Sequence, residues 1–221
     1  MASNAHRAKK HPYLNRSTAL LALVLLFFTQ LLPAKALFGY SETKQDKLEA
    51  VTHWVQLLIR HIKEDTPEGN CSSREFNRCH LNNWMIFIDQ IRSLPKHQQI
   101  TAINQYANKK EYVIDLENYA TPDYWAIVKE FLFQGGDCED YAITKLFTMR
   151  ELGYDIEMAR IVVLQDTNLN IPHAVLALYV DGDILILDNQ LQTVVSHSSI
   201  AHYIPLYAVN ENAWWIYTPP Y

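Results

Sequence analysis

Hydrophobic positions change their spacing partway along the 221-residue chain. From Ser41 to Gly153 they recur every three or four residues, the period of helices packed by one face. Ser41 has the chemistry to cap a helix carrying Leu48, Val51, Val55, Leu58 and Ile62. Thr66 to Ser73, with Pro67, Gly69 and Asn70, breaks the pattern as a loop. Leu81, Trp84, Met85, Ile88 and Ile91 mark a second helix that ends before Pro95, and a third spans Lys96 to Asn108. Thr121-Pro122-Asp123 has the form of another helix start, a hydroxyl cap followed by proline, for a helix bearing Trp125, Val128 and Leu132. The next helix opens at Cys138, turns Leu146, Met149 and Leu152 inward, and stops at Gly153.

Beyond Gly153 the period shortens. Arg160 to Leu164, Ala174 to Val180, Asp183 to Leu187 and Ile204 to Val209 are alternating or β-branched runs. Trp214 to Tyr217 adds a last edge strand, stopped by Pro219 and Pro220. Asp181-Gly182 between two of these runs is a hairpin signal. A two-residue turn there sets Val180 opposite Asp183 and Val175 opposite Asp188. His173, two residues before Val175, then shares a face with Asp188 as its diagonal neighbour. Helices first and antiparallel strands afterwards predict an α+β fold, with a helical part over about 37–153 and a β part over about 154–221.

The first 36 residues stand apart from this pattern. Arg7, Lys9, Lys10 and Arg16 precede an apolar stretch from Ala19 to Leu32, and Ala34-Lys35-Ala36 supplies small residues. That order predicts a secretory signal cut after Ala36, with residues 37–221 as one mature domain; an uncleaved anchor is the alternative. Export would place the mature chain in an oxidising compartment. The mature part holds 14 basic and 24 acidic residues, a formal charge of −10, which argues against nucleic acid and anionic membranes as partners. Its three cysteines leave at least one unpaired. Cys71 and Cys79 either close a small disulfide loop or stay reduced and pack, and a bridge between them leaves Cys138 free.

Cys138 lies where a polar loop, Gly135-Gly136-Asp137, turns into a helix. Cysteine, then His173 on one strand, then Asp188 at the end of the next, is an order that suits a thiol nucleophile, its base and the base's orienter. A helix N-terminus favours the thiolate and offers amide donors to an oxyanion. Trp125 and Gln134 are further candidates for that oxyanion site. Asp137, Glu139 and Asp140 work against the thiolate. They either cap the helix or turn away to bind a hard cation such as Ca²⁺. The other histidines, His53, His61, His80, His97, His197 and His202, have no matching acid on a strand and are read as non-catalytic.

Gly136-Asp137-Cys138-Glu139-Asp140-Tyr141-Ala142, Pro172-His173-Ala174-Val175-Leu176 and Leu187-Asp188-Asn189-Gln190, in that order, resemble the bacterial transglutaminase-like cysteine proteinases of the LapG type. The resemblance implies a papain-like, transglutaminase-like fold. It implies a periplasmic protease that cuts the N-terminal region of a large surface adhesin, releases it and promotes biofilm dispersal. It also implies Ca²⁺ bound by Asp137, Glu139 and Asp140, and sequestration by an inner-membrane cyclic-di-GMP receptor of the LapD type. Two other functions fit the same residues: a transglutaminase or amidase using the same triad, and a calcium-dependent binding module with an inert thiol.

Overall fold

A computed structural model gives the fold and describes residues 36–63 and 66–220; the secretory signal expected over residues 1–36 lies outside them save for Ala36. Among the described residues no helix is long and apolar enough to cross a membrane. The architecture is α+β, as the change of period predicts. Among the described residues six α-helices precede most of the sheet: α1 (Thr52–Ile62), α2 (Cys79–Ile91), α3 (Lys96–Ala107), α4 (Asp115–Tyr119), α5 (Val128–Gln134) and α6 (Cys138–Glu151). The strands are β1 (Ser41–Gln45), β2 (Ala159–Asp166), β3 (Ile171–Val180), β4 (Asp183–Leu187), β5 (Val195–Ser196), β6 (Tyr203–Val209) and β7 (Trp214–Thr218). They form one sheet in the order β1-β7-β6-β2-β3-β4-β5, every neighbouring pair antiparallel.

The sheet is buried on both faces. Ile161, Leu176, Leu178 and Leu187 point into a core shared with the helices, where Trp54, Ile88, Phe131 and Phe147 meet. Their alternate neighbours Val162, Leu164, Val175, Ala177 and Ile186 fill a second core with Leu37, Tyr203 and Trp215. Helix α6 packs against β2, β3, α3 and α5, and every residue from Asp140 to Met149 is buried. The apolar side expected at Leu146 and Met149 is therefore only part of its contact surface. A helix enclosed on all sides loses the polar face that a stripe assumes. Gly153, at φ +83, closes it as expected.

Three expectations for local structure fail, each where a long-range partner overrides local chemistry. Ser41 starts no helix; Ser41–Gln45 runs along β7 as an edge strand, and the helix begins at Thr52. For that reason Trp214–Thr218 is an inner strand, held by β6 on one side and β1 on the other. Thr121-Pro122-Asp123 starts no helix either: the chain stays irregular until Val128. The amides of this segment are taken by buried carboxylates, Tyr124 N–H by Asp115 and Ala126 N–H by Asp140 Oδ1 at 2.7 Å. The hairpin holds: Val180 pairs with Asp183 and Leu176 with Leu187, with Asp181 and Gly182 both at positive φ, 50° and 73°.

Candidate active site

Two glycines shape the approach to the nucleophile helix. Gly135 sits at φ +77, where a Cβ would fall 2.4 Å from the Glu111 carbonyl oxygen. A Cβ on Gly136 would fall 2.1 Å from Asp140 Oδ2. The turn is thus pressed between the chain at Glu111–Val113 and the first turn of α6, and any side chain would push the helix start away. Asp140 Oδ2 accepts the Asp137 amide at 3.3 Å, so this carboxylate acts in the helix start itself.

Cys138 is the first residue of α6, is unpaired, and is partly buried. Cys71 and Cys79 form a disulfide, the pairing that leaves Cys138 free. A cleft of about 370 Å³ is lined by Cys138, His173 and Ala174, with Asp137, Glu139, Asp123, Trp125, Tyr112 and Tyr207 around them. Of the two candidates for an oxyanion donor, Trp125 lines this cleft; Gln134 lines a separate pocket with Phe76, Glu130 and Phe133.

His173 and Asp188 are both buried, and His173 Nε2 lies 3.0 Å from Asp188 Oδ1. Asp188 also accepts the Gln190 amide at 2.9 Å and, through Oδ2, the Tyr203 hydroxyl at 2.6 Å. Burial alone would raise its pKa. The hydrogen bond and charge of His173, then the Tyr203 and Gln190 donors, outweigh that and hold the carboxyl below its ordinary range. An ionised Asp188 only accepts, so the proton between the two residues belongs to His173 Nε2. Nδ1 is then the nitrogen with a lone pair to offer a thiol.

The thiol itself is opposed by its surroundings. Its Sγ donates to Glu139 Oε2 at 3.2 Å. Burial first, then the charges of Glu139 and Asp137, push its pKa well up, while an N–H from Ala174 pulls the other way. The same crowding raises the acids. Burial, followed by the Asp137 charge, takes Glu139 up to about 9. Asp115 is raised to about 6, again by burial first. Asp140 is pushed well above its usual range by burial, Glu139 and Asp137, and burial raises Asp137.

Among the described residues these acids form two groups whose ligand atoms lie within 4.8 Å of one another: Asp115, Asp137 and Asp140, and Asp115, Asp123 and Glu139. All three acids expected from the sequence are present, joined by Asp115 and Asp123, which sequence reasoning missed. Asp115 sits in a five-residue helix and Asp123 in the misread helix start, so neither carried a recognisable signal. Asp115 Oδ1 and Asp137 Oδ1 are buried and have no hydrogen-bond partner. Buried carboxylate oxygens without donors, gathered at one place, fit a hard cation held by oxygen ligands.

Of the remaining histidines, His53 pairs with Asp123 at 3.2 Å and His61 stacks on Phe147. His197 is buried, with Nδ1 accepting the Phe38 amide at 3.0 Å.

Residues 69–218 match the family model of the bacterial transglutaminase-like cysteine proteinases. The chain belongs to this family. The fold is similar to that of Legionella pneumophila LapG in its calcium-bound form, with a TM-score of 0.59 and 31% identity over 66% of this chain and 82% of that one. The EGTA-treated form of the same Legionella protein matches with a TM-score of 0.58 and 27% identity, over 79% and 87%. No curated protein matches the chain. This transglutaminase-like cysteine proteinase therefore has the fold class that its sequence predicts.

Proposed function

We propose that this proteinase is a calcium-dependent endopeptidase working through Cys138, His173 and Asp188. The observation that carries the reading is the buried His173–Asp188 pair, whose histidine lines the same cleft as Cys138. His173 Nδ1 takes the thiol proton as Sγ attacks the scissile carbonyl, and returns it to the leaving amine. Water then releases the acyl group from Cys138. Asp188 fixes the tautomer throughout and bears the imidazolium charge. Amides at the start of α6 face the carbonyl oxygen and supply the oxyanion donors.

Calcium binding is proposed on two supports: the donorless oxygens of Asp115 and Asp137, and the similarity to a protein described in calcium-bound and EGTA-treated forms. Asp137 and Glu139 would hold the ion, with Asp115, Asp123 and Asp140 beside them. Bound there, Ca²⁺ would supply positive charge beside the nucleophile. Glu139, once engaged as a ligand, would no longer accept the thiol proton, and Asp137 would no longer oppose the thiolate.

The biological setting rests on the sequence resemblance. The substrate is the N-terminal region of a large surface adhesin, cut in the periplasm so that the adhesin is released and biofilm disperses. An inner-membrane cyclic-di-GMP receptor holds the protease in check. The test is cleavage of the host's adhesin N-terminal fragment by the mature protein, with and without EGTA, beside Cys138→Ala. A single cut that requires both Cys138 and Ca²⁺ is expected. Cleavage by Cys138→Ala at the wild-type rate would end the thiol mechanism. Cleavage indifferent to EGTA would end the calcium reading.

A further inference from the structure

Behind the His173–Asp188 pair lies a stack of rings that the proposed mechanism does not use. Tyr203, on β6, is buried, and its hydroxyl donates to Asp188 Oδ2 at 2.6 Å. Its ring stands edge-on to His173, with centroids 5.7 Å apart and planes at 61°. A second contact is Phe38, whose ring meets Tyr203 at 5.7 Å and 89°. Tyr203 thus touches both the base and a residue from the start of the described chain.

Phe38 holds a backbone conformation that a bulky side chain rarely adopts, φ 51°. Such a conformation persists only when the surroundings over-determine it. Here they do: Leu37 is fully buried in the second core, Phe38 N–H donates to His197 Nδ1 at 3.0 Å, and the Phe38 ring packs edge-on against His197 at 6.1 Å. The strained residue is one whose ring touches Tyr203.

We propose that Tyr203 is a positioning residue for the reaction, holding Asp188 in line with His173, and that the Leu37–Gly39 turn seats it through Phe38. The proposal rests on the triad reading above. The argument is geometric. Asp188 Oδ1 serves His173 and the Gln190 amide, so the rotation of its carboxylate about χ2 is fixed by what holds Oδ2, and that is the Tyr203 hydroxyl. Burial, then Asp188 itself, raises the pKa of the phenol, so it remains a donor across the working range. The titratable groups facing it are Asp188, Asp166, Cys138 and His173, with His202 beside its ring. Without the hydroxyl, the carboxylate turns and the imidazole loses its angle to the thiol. Substrate contacts in the cleft stay as they were.

The experiment measures kcat and KM on the adhesin fragment in saturating Ca²⁺, together with the iodoacetamide-titratable thiol and the thermal midpoint. Tyr203→Phe is expected to lower kcat about ten- to a hundredfold, the range for one lost hydrogen bond to a charged group, with KM and titratable thiol unchanged. Phe38→Ala is expected to lower kcat in the same manner but less, and Phe38→Tyr, which keeps the ring, to restore it. Wild-type kcat in Tyr203→Phe overturns the proposal. So does a fall in kcat matched by an equal fall in the folded fraction read from the thermal melt, which would mean only that less protein is folded. Should Tyr203→Phe fail to fold, Phe38→Leu carries the same expectation, and wild-type kcat there overturns the seat. Cleavage by His173→Ala at the wild-type rate would sink the triad reading and this proposal with it, whereas a dead His173→Ala beside a fully active Tyr203→Phe sinks the proposal alone.

Discussion

Lys145 lies two helical turns below Cys138 on α6, is fully buried, and its Nζ has no hydrogen-bond partner. Burial lowers its pKa from 10.5 to about 7, against the pull of the Asp188 charge. Because the folded value lies below the unfolded one, the folded chain gives up this proton first, and stability rises with pH between the two. At about 1.4 kcal/mol per decade, the lysine costs roughly 4 kcal/mol at pH 7, roughly 2 at pH 9 and less than about 1 near pH 10.5. The full penalty is present below pH 7 and is gone above the unfolded pKa.

Lys145→Met keeps an unbranched side chain of similar volume and removes the charge. Asp188 loses a neighbouring cation but keeps three donors, from His173, Gln190 and Tyr203. The variant is therefore expected to be more stable than its parent by about 3–4 kcal/mol at pH 7, with the gain shrinking steadily towards pH 10. Urea unfolding at pH 7, 8, 9 and 10 measures it, with both proteins in a Cys138→Ala background to prevent self-cleavage and Ca²⁺ held constant. Tyrosines of the unfolded chain begin to ionise near the top of this range in both proteins, and their contribution cancels in the difference. Had Lys145 been one half of a satisfied ion pair, removing it would cost about 3–5 kcal/mol instead. A destabilised Lys145→Met at pH 7, or a difference that does not change with pH, would refute the reasoning.

Three further outcomes follow from the structure. Ca²⁺ at a hundred times its dissociation constant should stabilise the protein by about 2.7 kcal/mol, and Asp137→Asn should abolish that gain; an unchanged calcium-dependent melting shift in the variant would remove Asp137 from the site. Replacing Cys71 and Cys79 together by serine opens a short loop and should cost about 2–3 kcal/mol by the chain-entropy relation, read from urea midpoints; no loss would mean that the reduced loop is equally ordered. Gly182→Ala meets no atom within 4 Å but must adopt φ 73°, so it should cost about 1 kcal/mol from backbone conformation alone, and a neutral result in thermal melts would show that the turn relaxes.

How much of this was legible depended on how far apart the deciding residues are. The His173–Asp188 pairing followed from a two-residue turn, because Asp181-Gly182 fixes register and register fixes the face. Nothing local marks Ser41–Gln45 as a strand: its partner is Trp214–Thr218, at the other end of the chain. The misread start at Thr121 is more instructive. Threonine and proline there do suit a helix, but a helix would need the Ala126 amide for the Pro122 carbonyl, and the buried Asp140 carboxylate takes it first, while Asp115 holds the Tyr124 amide. Those carboxylates, Asp115 and Asp140, are members of the acid cluster, so the local rule failed where the site demanded another geometry.

That coincidence bears on why a thiol nucleophile is set among carboxylates at all. Asp140 holds the Asp137 and Ala126 amides, and so ties the start of α6 to the irregular segment carrying Asp123 and Trp125, two residues that line the cleft. Asp115 holds the same segment through Tyr124. The acids that oppose the thiolate, Glu139 and Asp137, are thus clustered with the fasteners of one wall of the cleft, Asp115 and Asp140, and replacing the cluster with neutral residues would relieve the thiol at the expense of its surroundings. A cation shared among them resolves the conflict without dismantling the fasteners, since it offsets their charge while leaving their amide contacts in place. On this argument Asp140→Asn should damage the cleft even when Ca²⁺ is saturating, through the amides it no longer holds as well, whereas Glu139→Gln, whose carboxylate faces the thiol, should act mainly through calcium. Trp125 fluorescence in a variant with the other tryptophans replaced, recorded with and without Ca²⁺, separates the two: equal calcium-saturated spectra for wild type and Asp140→Asn would show that the acid does not fasten the wall.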